Sequence, residues 1–424
     1  MKKLQKTTKE KFTKYEVFMI AILAITQFTI ILDFMVMSPM GAIMMPALKI
    51  DPSKFGNVVS AYAFSAGISA ILTAGFADKF DRKKLLLFFY TGFIIGTFLC
   101  GIATDYDFLL IARIVTGIFG GVIGSIGMAI LADIFAPHLR SKVMGFVQMA
   151  FASSQILGIP IGLKMAKDLG WNSPFLMIVG LSIIIFVIII IYMKPVKEHL
   201  KIQSDKNAFV HMYHTLTKPF YLQAFLSTIL LATGGYMLMP FGSAFSVNNL
   251  KLSVDDLPSL YLFTGISALI AGPLIGKFSE KVGKYRMFVM GSFLSMITII
   301  IYANLGPSIF SIILLLNCIL MISITARIVT SSTIMTSVPL MSDRGAFMST
   351  NSAIQMLAGG IAAKVGGMIV SENADHSLVN YDTLCYVVSC TIIITAIMMY
   401  FIDKKIKVVN VERATAKKVE KVNS

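Results

Sequence analysis

The sequence predicts an all-α polytopic membrane protein, with twelve transmembrane helices in two pseudo-symmetric six-helix halves, and three observations carry that reading. Of 424 residues, 56% are hydrophobic and only 14% charged, with a mean hydropathy of +0.79. The apolar runs are long and lack two-residue alternation. Roughly 20 apolar residues cross a bilayer core as a helix, whereas a membrane barrel alternates apolar and polar positions. Finally, the segment AGFADKFDRKK at Ala74 to Lys84 returns in altered form as GKFSEKVGKYR at Gly276 to Arg286, a shift of 202 residues, each time between two apolar stretches. Pro137 with Pro339, Arg140 with Arg344 and Gly158 with Gly360 keep nearly the same offset, so the chain is a duplication.

Taken in order, the spans are expected at 17–47, 55–77, 84–104, 107–135, 141–167, 173–193, 219–247, 258–279, 285–304, 308–337, 345–371 and 380–402. Span 1 is too long, and too polar at its far end, for a cleaved signal. Residues 1–16 form an amino-terminal segment, 17–193 the first half, 194–218 a polar, basic linker bounded by Pro195 and Pro219, 219–402 the second half and 403–424 a basic tail. Lys and Arg accumulate on one side: the amino-terminal lysines, the turn holding Lys79, Arg82, Lys83 and Lys84, the turn at Arg140, the linker, the turn after Gly276, Arg344 and the tail. Opposite them fall Lys49, Lys54, Lys167 and Lys251. The positive-inside rule then places both termini in the cytoplasm and the protein in a cell membrane, the inner one in a bacterium. The net charge of +15 is a topology signal on short turns, so nucleic acid is not an expected partner. The tail is read as a solvated end, with contact to anionic lipid as its alternative.

Neither an enzyme nor a metal protein is indicated. His138, His199, His211, His214 and His376 lie in loops or at span ends, no Walker-type loop is present, and His211 with His214 lack the further ligands zinc needs. Cys100, Cys318, Cys385 and Cys390 form no CxxC pair and read as packing residues. No cofactor is expected, and the energy source is an ion gradient.

Asp33 is the one acidic residue well inside a span. A charge there costs about 2.5–3.5 kcal/mol on insertion scales, and such residues face a partner or a watery path. At 1.5 Å per residue Asp33 lies roughly 24 Å above the inner end of span 1, and Arg113 roughly 21 Å up span 4, so the two are level. Separating the pair during a conformational change would ease protonation and couple a proton to a cargo; a structural ion pair fixing spans 1 and 4 is the competing reading.

The polar turns and span 4 resemble those of the major facilitator superfamily, within its twelve-span drug:proton antiporter-like group of arabinose-efflux-like permeases. The resemblance covers nearly the whole chain. Its mark is the loop between spans 2 and 3, where Ala74, Asp78, Asp81 and Arg82 to Lys84 occupy the family's Gly, Asp, Gly and basic positions; the second copy has Gly276, Glu280 and Gly283. LLIARIVTGIFGG resembles the span 4 motif through Arg113 and Gly117, with Thr116 where Gln is common. Gly158, Pro160 and Gly162 resemble the antiporter motif of span 5, although Ile159 separates the first Gly from Pro and Leu163 replaces a Gly.

The resemblance implies the major facilitator fold, working by alternating access as a proton-coupled exporter of a small organic molecule or drug. It implies a cytoplasmic gate in which Asp78 faces the start of span 11 near Arg344, and Glu280 faces the start of span 5 near Arg140, with Arg82, Lys83 and Gly283 in the same turns. A carboxylate at a helix amino terminus is favoured by ~0.3–1 kcal/mol; the alternative is that these acids balance neighbouring cations in water. Proton-coupled uptake or lysolipid carriage is the rival within transport, and a transport-inactive receptor or scaffold the rival outside it. Partners are a small-molecule substrate, protons and membrane lipid, and a monomer suffices because one duplicated chain encloses a pathway.

Gln27, Gln148, Gln155, Asn317, Asn351, Gln355, Arg327 and Lys364 are candidate lining residues of the substrate cavity. Gln148 with Gln155 and Asn351 with Gln355 share helical faces, and hydrogen bonding between helices is the competing reading. With Arg327, Lys164 and Lys364 set against Asp33 alone, the cavity is net positive and suits an anionic or zwitterionic cargo; lysines reaching to the interface are the alternative. The 27 Met and 31 Phe suit an adaptable surface, as they also suit a plain membrane core.

Overall fold

Helix starts follow local capping chemistry. Thr13 and Glu16 form a capping box that opens the first helix, Asp81 and Asp105 accept from Lys83 N and Phe108 N, and Pro219 occupies the first turn of the helix that begins the second half. The structure, a computed structural model, describes residues 12–74, 76–198, 200, 216–340 and 343–423.

Among the described residues, twelve helices are long and apolar enough to cross a membrane: spans 1 to 6 at Lys14–Leu48, Pro52–Thr73, Arg82–Gly101, Tyr106–Ile134, Val143–Leu169 and Ser173–Tyr192, and spans 7 to 12 at Pro219–Asn248, Val254–Val282, Lys284–Ala303, Phe310–Met335, Ala346–Ile369 and Tyr381–Val408. The chain is a multi-pass membrane protein. Val17, Ile184, Ile191, Phe293 and Leu315 are among the many exposed large apolar side chains, as expected of helices whose outer surfaces meet lipid.

Three spans are interrupted among the described residues, span 7 between Leu238 and Gly242, around Pro240. Span 1 tightens into a 3-10 turn at Ser38–Met40, where Pro39 removes a backbone donor, and resumes at Gly41; span 5 carries a π-helical turn over Ser154–Gly158, immediately before Pro160. Span 8 ends at Gly283, whose φ of 101° is open to glycine and not to side-chain-bearing residues. The helix of span 12 does not stop at the membrane: it continues from Tyr381 to Asn423, so the basic tail extends that helix.

Within the first half span 4 packs against spans 2 and 3, and span 3 also against span 6; within the second half span 10 packs against spans 8 and 9, and span 9 also against span 12. The halves meet along three span pairs, 1 with 7, 2 with 11 and 5 with 8. A two-stranded antiparallel hairpin, β1 at Ser371–Glu372 and β2 at Leu378–Val379, links spans 11 and 12 on the face opposite the termini, called the far face below.

Candidate functional site: a buried charge pair and the seam between halves

Asp33 of span 1 and Arg113 of span 4 meet through Oδ2 and Nη1 at 2.8 Å, and both side chains are sealed from solvent, at 0% and 1% exposure. Thr97 of span 3 donates to Asp33 Oδ1 at 3.4 Å, and the Tyr62 ring of span 2 lies 4.6 Å from the guanidinium carbon. Four spans of the first half thus converge on one pair. A fixed acceptor and a delocalised cation offset each other's desolvation here, which neither achieves alone. Gly117, one turn beyond Arg113, permits this: a Cβ there would stand 2.0 Å from Ser65 Oγ and 2.5 Å from Tyr62 O. Gly158 and Gly162 likewise admit Leu32 and Val36 of span 1, whose side chains lie 2.5 and 2.7 Å from the position of an added Cβ.

Cross-half packing starts at the far face and, between spans 2 and 11, continues inward to Gly67, where an added Cβ would meet Leu357 at 2.8 Å. Ala42 N donates to Ser243 Oγ at 3.3 Å, the Phe34 and Tyr236 rings stand 5.9 Å apart, and Lys167 pairs with Asp255 at the outer ends of spans 5 and 8. Spans 2 and 11 touch backbone to backbone, since an added Cβ at Gly56 would meet Ala363 O at 2.8 Å and one at Gly367 would meet Pro52 O at 2.9 Å. Deeper in the seam, Met35, Pro39, Gln155, Ile159, Met239, Tyr261, Thr264, Gly265 and Met321 enclose a small apolar cavity shared by both halves.

The termini face carries the groups expected to form latches. Arg140 Nε donates to Phe135 O of its own half at 3.0 Å, and Glu280 and Arg344 are exposed. Arg82 Nε reaches Asp133 at the end of span 4 (3.2 Å), and Lys83 Nζ donates to Ile190 O and Met193 O at the end of span 6 (2.9 and 2.6 Å). Asp81 caps span 3 and accepts from Val196 N. The basic turn therefore binds its own half, Arg82 through a carboxylate and Lys83 through the carbonyl end of span 6, where partial negative charge favours cations. The side chain of Asp78 lies outside the described residues, as do His199, His211 and His214. Across the second half, Lys218 and Tyr221 both donate to Asp343, at 2.5 and 2.9 Å, and that hydrogen bond holds the Lys218 ammonium above its ordinary pKa.

The polar residues expected along the path divide. Gln155 lines the seam cavity, half-buried Gln27 lies beside Gly124, and Gln148, Gln355 and Lys364 are exposed. Asn317 donates to Ile313 O of its own helix, and Asn351 accepts from Thr228 at 2.7 Å, a bond between spans 7 and 11. Arg327 is buried at 4% exposure, with no ion pair among the described residues. Sequence reasoning passed over Asp133, Tyr62, Thr97 and the Lys218–Asp343 pair; two acids at span ends beside basic turns were the available signal for Asp133 and Asp343.

A model of the Major Facilitator Superfamily matches residues 23–363 and also 224–423. The chain belongs to that superfamily. Other superfamily members are similar along much of their length: the MFS-type transporter YceJ of Bacillus subtilis is 27% identical over 63% of this chain and 68% of that protein. Inner membrane transport protein YdhP of Escherichia coli K12 is 25% identical over 58% of this chain and 62% of its own. A shorter match, 32% identical over 36% of this chain and 30% of the other, is to Multidrug resistance protein 3 of Bacillus subtilis. The fold is shared with a crystal structure of a bacterial homolog to the human lysosomal transporter Spinster, with a TM-score of 0.73 at 14% identity, covering 93% of this chain and 98% of that one. As a superfamily transporter, the protein carries a small-molecule substrate and is not an enzyme.

Proposed function

We propose that the protein exports a small organic molecule in exchange for protons, exposing a cavity between its halves alternately to the two sides of the membrane. The sealed Asp33–Arg113 pair carries this reading: a charge pair held by four spans is costly to bury and gains a purpose when its separation binds and releases a proton. Export is supported by relatives named for multidrug resistance and sugar efflux. With the termini in the cytoplasm, the contacts between halves at the far face support a state closed to the outside, in which the exposed Glu280 and Arg344 are latch groups not engaged. Asp78 and the basic turn complete the latch when the inner side closes.

Reconstitution in liposomes with an imposed pH gradient tests this, following internal pH while candidate compounds are added. Compound-dependent proton flux that disappears in Asp33→Asn is the expected result. Flux in that variant with an unchanged dependence on the pH gradient removes the proton role.

A further inference from the structure

The second half contains a cation that the charge pair of the first does not explain. Arg327 of span 10 is buried, and its Nε and Nη2 have no hydrogen-bond partner among the described residues. Its guanidinium stands 6.0 Å from the buried Phe288 ring of span 9, and its Nη2 lies 3.9 Å from where a Cβ on Gly234 of span 7 would be. Gly234 precedes the helix start at Gly242 by the same interval as Asp33 precedes Gly41. At the place where the first half supplies a carboxylate, the second half supplies a glycine; the 202-residue repeat takes Arg113 to Leu315, so Arg327 is a cation without an equivalent in the first half.

The helices that Arg327 touches carry further buried donors. Ser227 lies two turns before Gly234 on the same face of span 7, and Ser292 and Ser295 lie on the stretch of span 9 whose Gly291 abuts Ala326 and Arg327; all three hydroxyls are buried and without a partner among the described residues. Unmade bonds of buried donors cost free energy that an acceptor restores. The wall of span 7 is also thin here. Exposed Gly235 has no atom within 4 Å of an added Cβ, and it shares its helical face with Met239, which lines the cavity between the halves.

We infer that Arg327, facing Gly234 between spans 7 and 9, is an anion subsite that takes the carboxylate or phosphate head of an amphipathic cargo, whose apolar body occupies the methionine-lined seam. This deepens the transport reading and rests on it only in treating the seam cavity as the cargo's path. A planar guanidinium suits both head groups, since each accepts two parallel hydrogen bonds. The proton site in the first half and the anion subsite in the second are then separate, and Gly234 is what keeps the second arginine free for cargo.

The test is equilibrium binding to the purified full chain in detergent, without a pH gradient, so that it does not depend on proton coupling. Four probes share one aromatic body: 2-naphthoate, 2-naphthyl phosphate, neutral 2-naphthamide and cationic 2-naphthylmethylammonium. One or both anions are expected to bind at least about tenfold more tightly than the amide, the better of the two naming the head group, and the cation more weakly still. Gly234→Asp places a carboxylate against the guanidinium and is expected to abolish the anion preference while raising thermal stability; Arg327→Gln abolishes it as well, and Arg327→Lys retains part. Equal affinity for all four probes in the unaltered protein overturns the inference without recourse to any variant. A preference that persists in folded Gly234→Asp overturns it too, by assigning the preference to another cation. Loss of proton-driven flux in Asp33→Asn with anion selectivity intact separates failure of one reading from failure of the other.

Discussion

Asp33 Oδ2 and Arg113 Nη1 lie 2.8 Å apart with no solvent at either side chain, so neither charge is tolerable without the other. Removing one partner of such a pair destabilises by about 3–5 kcal/mol, because the remaining charge stays buried and uncompensated. Asp33→Asn and Arg113→Gln are each expected to lower the thermal midpoint in detergent. The double variant is expected to recover most of it, while proton-driven flux stays absent in all three. A double variant no more stable than either single shows that the pair is not the reason the singles unfold.

The approach of spans 2 and 4 at Gly117 leaves no room for a methyl group. Gly117→Ala is expected to destabilise by about 1–3 kcal/mol through overpacking against Ser65 and Tyr62. Gly145→Ala is the control, with nothing within 4 Å of the added Cβ and an expected effect that is neutral to slightly stabilising, because alanine is the better helix former. Thermal unfolding of the two side by side checks the difference.

Lys167 and Asp255 tie span 5 to span 8 at the far face, both exposed, where water screens the pair. Its expected effect is on conformation more than on stability. Asp255→Lys sets two cations together and is expected to raise thiol labelling of a cysteine introduced at Thr264, beside the seam cavity, from the far side. Lys167→Asp combined with Asp255→Lys restores the original labelling.

Lys218 has a folded-state pKa above its ordinary value near 10.5, because its ammonium donates to Asp343. A raised pKa stabilises fully below the unfolded value and loses that contribution as pH climbs through the folded one. Lys218→Met is therefore expected to lower the thermal midpoint by a constant amount between pH 7 and about 9, and by less above about 10.5. A midpoint difference that grows with pH in that alkaline range contradicts the assignment.

Much of the architecture was legible along the chain. Hydropathy and the returning turn at Gly276 to Arg286 marked the spans and the duplication, because crossing a bilayer is a one-dimensional requirement on length and polarity. The site was half legible. Depth along two helices placed Asp33 level with Arg113, yet the enclosing Tyr62 and Thr97 carried no sequence signal, being ordinary polar residues whose azimuth depends on how spans 2 and 3 turn.

By itself, then, the sequence determined the membrane class, the order and number of crossings, the repeat, and the need for a partner to Asp33. Only the tertiary structure decided that the halves pack along spans 2 and 11 from the far face inward, that Arg82 and Lys83 bind their own half through Asp133 and the end of span 6, that the tail continues span 12 as helix, and that Arg327 faces a glycine. The reason is geometric. A rise per residue fixes depth from sequence alone, whereas which side chains meet across helices depends on rotation, on breaks such as those at Pro39 and Pro160, and on the close approaches that glycines permit.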